Sequence, residues 1–83
     1  MSATFPVQVR FFAILREQAG VSVLECETSA RTPAELYEEL RRSHGLQFPA
    51  ELLRTAVNDR YASMADPLKA GDRVVFIPPV AGG

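Results

Sequence analysis

The chain has 83 residues, nine of them basic and ten acidic, for a net charge of -1. That length supports one modest core and not two, and a near-neutral balance provides no sequence-wide attraction to nucleic acid or to an anionic membrane. No apolar run approaches the roughly 20 residues that span a bilayer, and no basic segment leads into an apolar stretch with a cleavage site. The expectation is a soluble cytoplasmic domain with no nucleic-acid or membrane partner, and its single cysteine, Cys26, leaves it without an internal disulfide or a metal-ligand cluster.

From Phe5 to Phe12, Val7, Val9 and Phe11 alternate with Gln8, Arg10 and Phe12, the period of a strand with one buried face. Helix formers fill Ala13 to Ala19 and stop at Gly20, which predicts a short helical turn into a second strand. Val21 to Thr28 then alternates again, with Leu24 and Cys26 on one side and Val23, Glu25 and Glu27 on the other, and should pair antiparallel with the first strand.

Thr32-Pro33-Ala34-Glu35 is the strongest local signal: a capping hydroxyl, proline at the first helical position, and a glutamate placed to complete a capping box. The helix it starts buries Leu36, Tyr37 and Leu40 and ends at Gly45, with Leu46 folding back on Leu40. A short turn over Phe48 to Leu53 leads to a brief strand, Thr55 to Asn58. Asn58-Asp59 turns the chain, and Arg60 to Met64 runs back. After the turn-rich segment Asp66 to Asp72 comes Arg73-Val74-Val75-Phe76-Ile77, the most β-prone run, which Pro78-Pro79 stop. The fold class is α+β: a mixed sheet of four to five strands with one main helix on one face.

Catalytic side chains are scarce. His44 and Cys26 each occur once with no third group to orient them; His44 reads as part of a helix end and Cys26 as core filler. Glu38 and Glu39 read as a solvated helix face and not as an acid/base pair. Arg10, Arg16 and Arg73 are available to acidic partner surfaces, with solvated charge the simpler account.

The tail carries the chemistry. Pro78 and Pro79 have fixed φ and no N–H, so they end sheet pairing and project Val80-Ala81-Gly82-Gly83 as an extended segment. A terminal Gly-Gly, without side chains, fits a narrow channel in a partner. With glycine at about 7% of residues, two terminal glycines arise by chance in roughly one chain in 200. The Gly83 carboxylate becomes electrophilic once ATP converts it to an acyl-adenylate. This chain has no Gly-rich phosphate loop, so a separate enzyme must do that. A sulfur nucleophile would then leave a thiocarboxylate.

Val9-Arg10-Phe11-Phe12-Ala13, Arg16-Glu17, Ala56-Val57-Asn58, Gly71-Asp72 and Phe76-Ile77-Pro78-Pro79-Val80-Ala81-Gly82-Gly83 together resemble the small, sulfur-carrier subunits of molybdopterin synthase, in the ubiquitin-like β-grasp sulfur-carrier family. The resemblance implies one β-grasp domain over residues 1–79 and a flexible Gly-Gly tail over 80–83. It implies a non-catalytic carrier with no bound cofactor and no metal, while ATP is used by a ubiquitin-activating-type adenylating enzyme. Sulfur would come from a donor such as a cysteine desulfurase or rhodanese and be carried as the Gly83 thiocarboxylate. The acceptor would be cyclic pyranopterin monophosphate, held in the active site of the large synthase subunit, with two small and two large subunits forming a heterotetramer. The family's docking positions fall on Phe12, Tyr61, Ile77, Pro78 and Pro79. Full burial of an apolar side chain contributes about 1.5 to 3 kcal/mol, so Phe12, Tyr61 and Ile77 would suffice to anchor a modest interface. Competing readings are a sulfur carrier for thiazole formation or tRNA thiolation, a ubiquitin-like modifier joined to lysines, and a plain β-grasp interaction domain.

Overall fold

A computed structural model describes residues 3–79. The strands β1 (Phe5–Phe11) and β2 (Val23–Thr28) pair antiparallel, with Val7 opposite Cys26 and Val9 opposite Leu24. Between them lies α1 (Ala13–Ala19), pinned by the fully buried Leu15 and closed by Gly20 at φ 81, where glycine avoids the steric cost of a left-handed conformation. The main helix α2 (Pro33–His44) starts where the capping signal places it: the Thr32 hydroxyl accepts from the Glu35 N–H at 3.2 Å. The Glu35 carboxylate accepts from the Arg31 N–H at 2.9 Å, one residue before the cap itself, so the box closes on a neighbouring amide.

After a single 3-10 turn at Ala50–Leu52 come β3 (Arg54–Val57) and β4 (Arg60–Ala62), joined by Asn58 and Asp59 at φ 53 and 70. Two left-handed residues in a two-residue loop are what a type I′ hairpin requires, and asparagine and aspartate tolerate them. The last strand, β5 (Arg73–Ile77), inserts between β1 and β3, parallel to the first and antiparallel to the second. The sheet order is β2-β1-β5-β3-β4. The expected α+β arrangement is present with five strands, and the segment with the strongest strand propensity occupies the centre.

Alternation decides the two faces. Val7, Val9 and Phe11 of β1, with Val74 and Phe76 of β5, point at α2 and are essentially inaccessible to solvent. Leu36, Tyr37 and Leu40 answer from the helix, and Leu46 joins the same cluster as the fold-back on Leu40 requires. The Tyr37 ring meets Phe76 edge-on at 5.2 Å between centroids, and its hydroxyl donates to the Phe48 carbonyl at 2.7 Å, so the polar tip stays satisfied while the ring is buried. Burial pushes the Tyr37 phenol pKa up. Each large side chain taken into this core contributes about 1.5 to 3 kcal/mol.

One side chain departs from its expected role. Glu39 is half-buried and accepts the Thr28 hydroxyl at 2.7 Å, so it belongs to the seam between helix and edge strand and not to a solvated face. Glu38 does remain exposed, in a loose pair with Arg41 at 3.6 Å. Cys26 packs half-buried against the core, and its thiol pKa is raised by burial first and by the nearby Glu39 and Glu27 charges second. A thiol held protonated is a poor nucleophile, as core filler should be. His44 ends α2 with Nδ1 2.8 Å from the Ser43 hydroxyl, while the Gly45 N–H closes the helix on the Arg41 carbonyl.

Candidate functional site

The helix covers one face of the sheet and leaves the other open. Paired residues share a face, so the register defines rows across the open side. One row runs Val23, Arg10, Val75, Ala56, Tyr61 from β2 to β4. The next row toward the end of β5 pairs Ile77 with Arg54, and Phe12, just past β1, shares a groove with Ile77. Phe12, Ile77 and Tyr61, dispersed in sequence, thus lie on one surface.

Their exposures differ. Phe12 is 47% exposed and Tyr61 78%, whereas Ile77 is half-buried. Exposed aromatic rings cost water contacts without a return from the core, which marks them as surface that a partner can bury. Pro78 is buried and Pro79 exposed, so the first proline seats the end of β5 in the domain and the second presents itself to solvent.

Around this strand end lies a groove of about 570 Å³ lined by Phe12, Ala13, Ile14, Phe48, Ile77, Pro78 and Pro79. Leu52 and Arg54 border a second depression on the other side of the prolines, with Tyr61 at its edge. Ile14, Phe48 and Leu52 were not singled out by sequence patterning. They come from a helical turn and a loop, where no alternation marks an outward residue, and the largely apolar run Phe48 to Leu53 gives no signal that Leu52 points outward. Ala13 stands at φ 52, a left-handed conformation that costs a non-glycine residue about 1–2 kcal/mol. The tight departure from β1 into α1 imposes it, and it sets the position of the adjacent Phe12.

Because β5 runs parallel to β1, its end lies beside Phe12, and Pro79, the last described residue, lines the apolar groove there. Val80, Ala81, Gly82 and Gly83, on which the sequence places the chemistry, lie outside the described residues. Among the described residues, no three of His, Cys, Asp and Glu gather into a metal-binding set, and no helix is long and apolar enough to cross a membrane. Among the described residues, the groove at the strand end is lined by apolar side chains and offers apolar contact.

The opposite end of β5 is built differently. The buried Asp72 carboxylate accepts from the Asn58 side-chain amide at 2.9 Å and from the Lys69 N–H at 2.8 Å, while the Asn58 side-chain oxygen accepts from the Arg73 N–H at 3.0 Å. Arg73 also holds Asp59 at 2.8 Å. Asp72, read from sequence as a turn residue and as part of the Gly71-Asp72 motif, is the polar anchor that fixes where the last strand starts.

Comparison with known proteins places these features among relatives. The model of the ThiS family matches residues 9–83. The molybdopterin synthase sulfur carrier subunit of Escherichia coli is 34% identical over 80 residues, covering 93% of this chain and 99% of that protein. Among solved structures, a complex of subunits 1 and 2 of the molybdopterin-converting factor from Helicobacter pylori contains a chain that superposes with a TM-score of 0.63 at 31% identity, covering 95% of this chain and 100% of that one. Small archaeal modifier protein 1 of H. volcanii superposes with a TM-score of 0.76 at 21% identity, covering 92% and 99%, a likeness of fold alone. The architecture is the ubiquitin-like β-grasp.

Proposed function

Because this chain belongs to the ThiS family, we propose that it is the sulfur-carrier subunit of a molybdopterin synthase. The observation that carries the reading is the near full-length match, at 34% identity, with the E. coli sulfur carrier subunit, joined to a strand end whose described lining is apolar. The Gly83 carboxylate attacks the α-phosphorus of ATP within a ubiquitin-activating-type enzyme, releasing pyrophosphate and forming an acyl-adenylate. A persulfide on a cysteine desulfurase or rhodanese displaces AMP to form an acyl disulfide, and a second thiol of the partner enzyme then cleaves its S–S bond, leaving the Gly83 thiocarboxylate and a disulfide on the partner. The carrier then docks through Phe12, Tyr61, Ile77 and Pro79 on the large synthase subunit, with Pro78 seated beneath them. Its tail reaches an active site there, and sulfur passes to cyclic pyranopterin monophosphate to build the dithiolene of molybdopterin.

This division of labour follows from the geometry. A tethered thiocarboxylate gains its rate from being held at the acceptor, the proximity that docking supplies. The domain must then fix the tail's origin and offer a face to bind, both of which the strand end can do. The subunit 1 and 2 complex from Helicobacter pylori supports a large-subunit partner; two copies of each subunit in a heterotetramer complete the proposal. The protein is a carrier within a sulfurtransferase whose active site lies in the large subunit.

The test has two stages. Incubation with ATP, a sulfur source and the activating enzyme should exchange one oxygen for sulfur in the intact mass, and the product, mixed with the large subunit and precursor, should yield molybdopterin. Thiocarboxylation without molybdopterin would sink the pathway in favour of thiazole formation or tRNA thiolation. Covalent conjugates on lysines in place of the exchange would indicate a protein modifier.

A further inference from the structure

Two arginines interrupt the apolar rows of the open face. Arg10 stands between Val23 and Val75, and Arg54 stands opposite Ile77; both are exposed. The ion pairs among the described residues are Arg41 with Glu38 and Arg73 with Asp59, so neither Arg10 nor Arg54 is neutralised. One row further from the strand end the charges balance: Glu25 and Arg73 flank Gln8, and Arg73 binds Asp59. Glu27 lies beyond, opposite Pro6. The carboxylates of this face collect toward the Asp72 end, and the rows nearest the Pro78-Pro79 end hold cations on an apolar background. In a chain of net charge -1, that polarity is a property of the surface and not of the whole molecule.

Resting on the reading of this surface as the carrier's docking face, we infer that the large subunit's apolar socket for Phe12, Ile77 and Tyr61 is rimmed by carboxylates that meet Arg10 and Arg54. The division of roles is physical. Exposed charges act over about 10 Å at 0.1 M salt and set association rate and partner choice. Buried apolar anchors act only on contact and set dissociation. Guanidinium suits this place because its planar donors pair bidentately with carboxylate and its faces stack on aromatic rings. Two isolated cations on an apolar field match a few side-chain carboxylates, not the continuous charge of a nucleic acid.

Stopped-flow binding to the large synthase subunit from the same genome, at about 0.05 M and about 0.5 M salt, tests this. Wild type should associate about tenfold more slowly at high salt, and the double variant Arg10→Gln/Arg54→Gln should associate about tenfold more slowly than wild type at low salt and lose its salt dependence. Phe12→Ser should keep the salt dependence and dissociate faster. Thermal melts establish that each variant is folded, as exposed positions allow. Salt-indifferent association of wild type overturns the inference, as does a double variant that binds at the wild-type rate. Faster association by the double variant also overturns it, because the arginines would then be holding the chain's own terminal carboxylate. If wild type fails to bind the large subunit under any condition, the molybdopterin reading falls and the inference with it, a result distinct from salt-indifferent binding.

Discussion

The two ends of the central strand β5 solve opposite problems. At its start, Asp72, Asn58, Lys69 and Arg73 tie the β3–β4 turn to the segment entering β5 through short polar contacts, and the one buried carboxylate in the group is fully bonded. At its finish, Phe12, Ile77, Pro78 and Pro79 line an open apolar groove. Polar satisfaction makes the first end self-sufficient, since a bonded carboxylate has nothing left to offer a partner. Unsatisfied apolar surface makes the second end dependent on something that covers it. A strand anchored firmly at one end and open at the other is suited to deliver whatever is attached beyond it.

Deleting Gly83 breaks this comparison most sharply. Intact-mass analysis after incubation with ATP, a sulfur source and the activating enzyme should show complete loss of thiocarboxylate, with the melting temperature unchanged. Retained exchange would refute the role assigned to the terminal carboxylate. Next in size is Asp72→Ala at the other end. It strands the Asn58 amide and the Lys69 N–H and should lower unfolding stability by about 3 kcal/mol in urea titration, since bonds to a charged group contribute about 1.5–3 kcal/mol. The folded fraction should dock with unaltered affinity.

Phe12→Ala should invert that pattern. Docking to the large subunit should weaken by about 2 kcal/mol, close to thirtyfold in Kd, with a stability change within about 0.5 kcal/mol. A variant that unfolds instead would show Phe12 to be core. The smallest effect is on pH. Cys26 and Tyr37 both have raised pKa values, so the folded state holds their protons more tightly than the unfolded chain does. Their contribution is fully present below the ordinary thiol and phenol values and is lost as pH rises through them. Melting temperature should therefore fall from about pH 8 to about pH 11, and Tyr37→Phe, though less stable at neutral pH for lack of the bond to Phe48, should show a shallower alkaline decline. A decline as steep as wild type would assign the loss to other groups.

Much of this was legible in the chain because the signals were local. Alternation in Phe5 to Phe12 and Val21 to Thr28, the Thr32-Pro33-Ala34-Glu35 cap and the Pro78-Pro79 stop depend on neighbours a few residues away, and each element formed within two residues of its expected bounds. The parity of Phe12 and Ile77 was likewise readable, and Tyr61 came from resemblance. The family itself rested on motifs distributed over the whole length.

What the sequence by itself determined was the alternation of the first two strands and where the main helix starts and stops; the terminal Gly-Gly that it singled out stands as the proposed reactive element. Tertiary structure alone decided that β5 lies between β1 and β3, which brings Phe12, Ile77 and Tyr61 onto one surface with Pro79 beside them. It alone gave Asp72 and Glu39 their partners, and it separated Arg10 and Arg54 from the neutralised Arg73. The physical reason is range. Propensity, periodicity and capping act within a few residues, whereas strand order, buried polar contacts and the charge of a surface depend on residues brought together only when distant segments share one sheet.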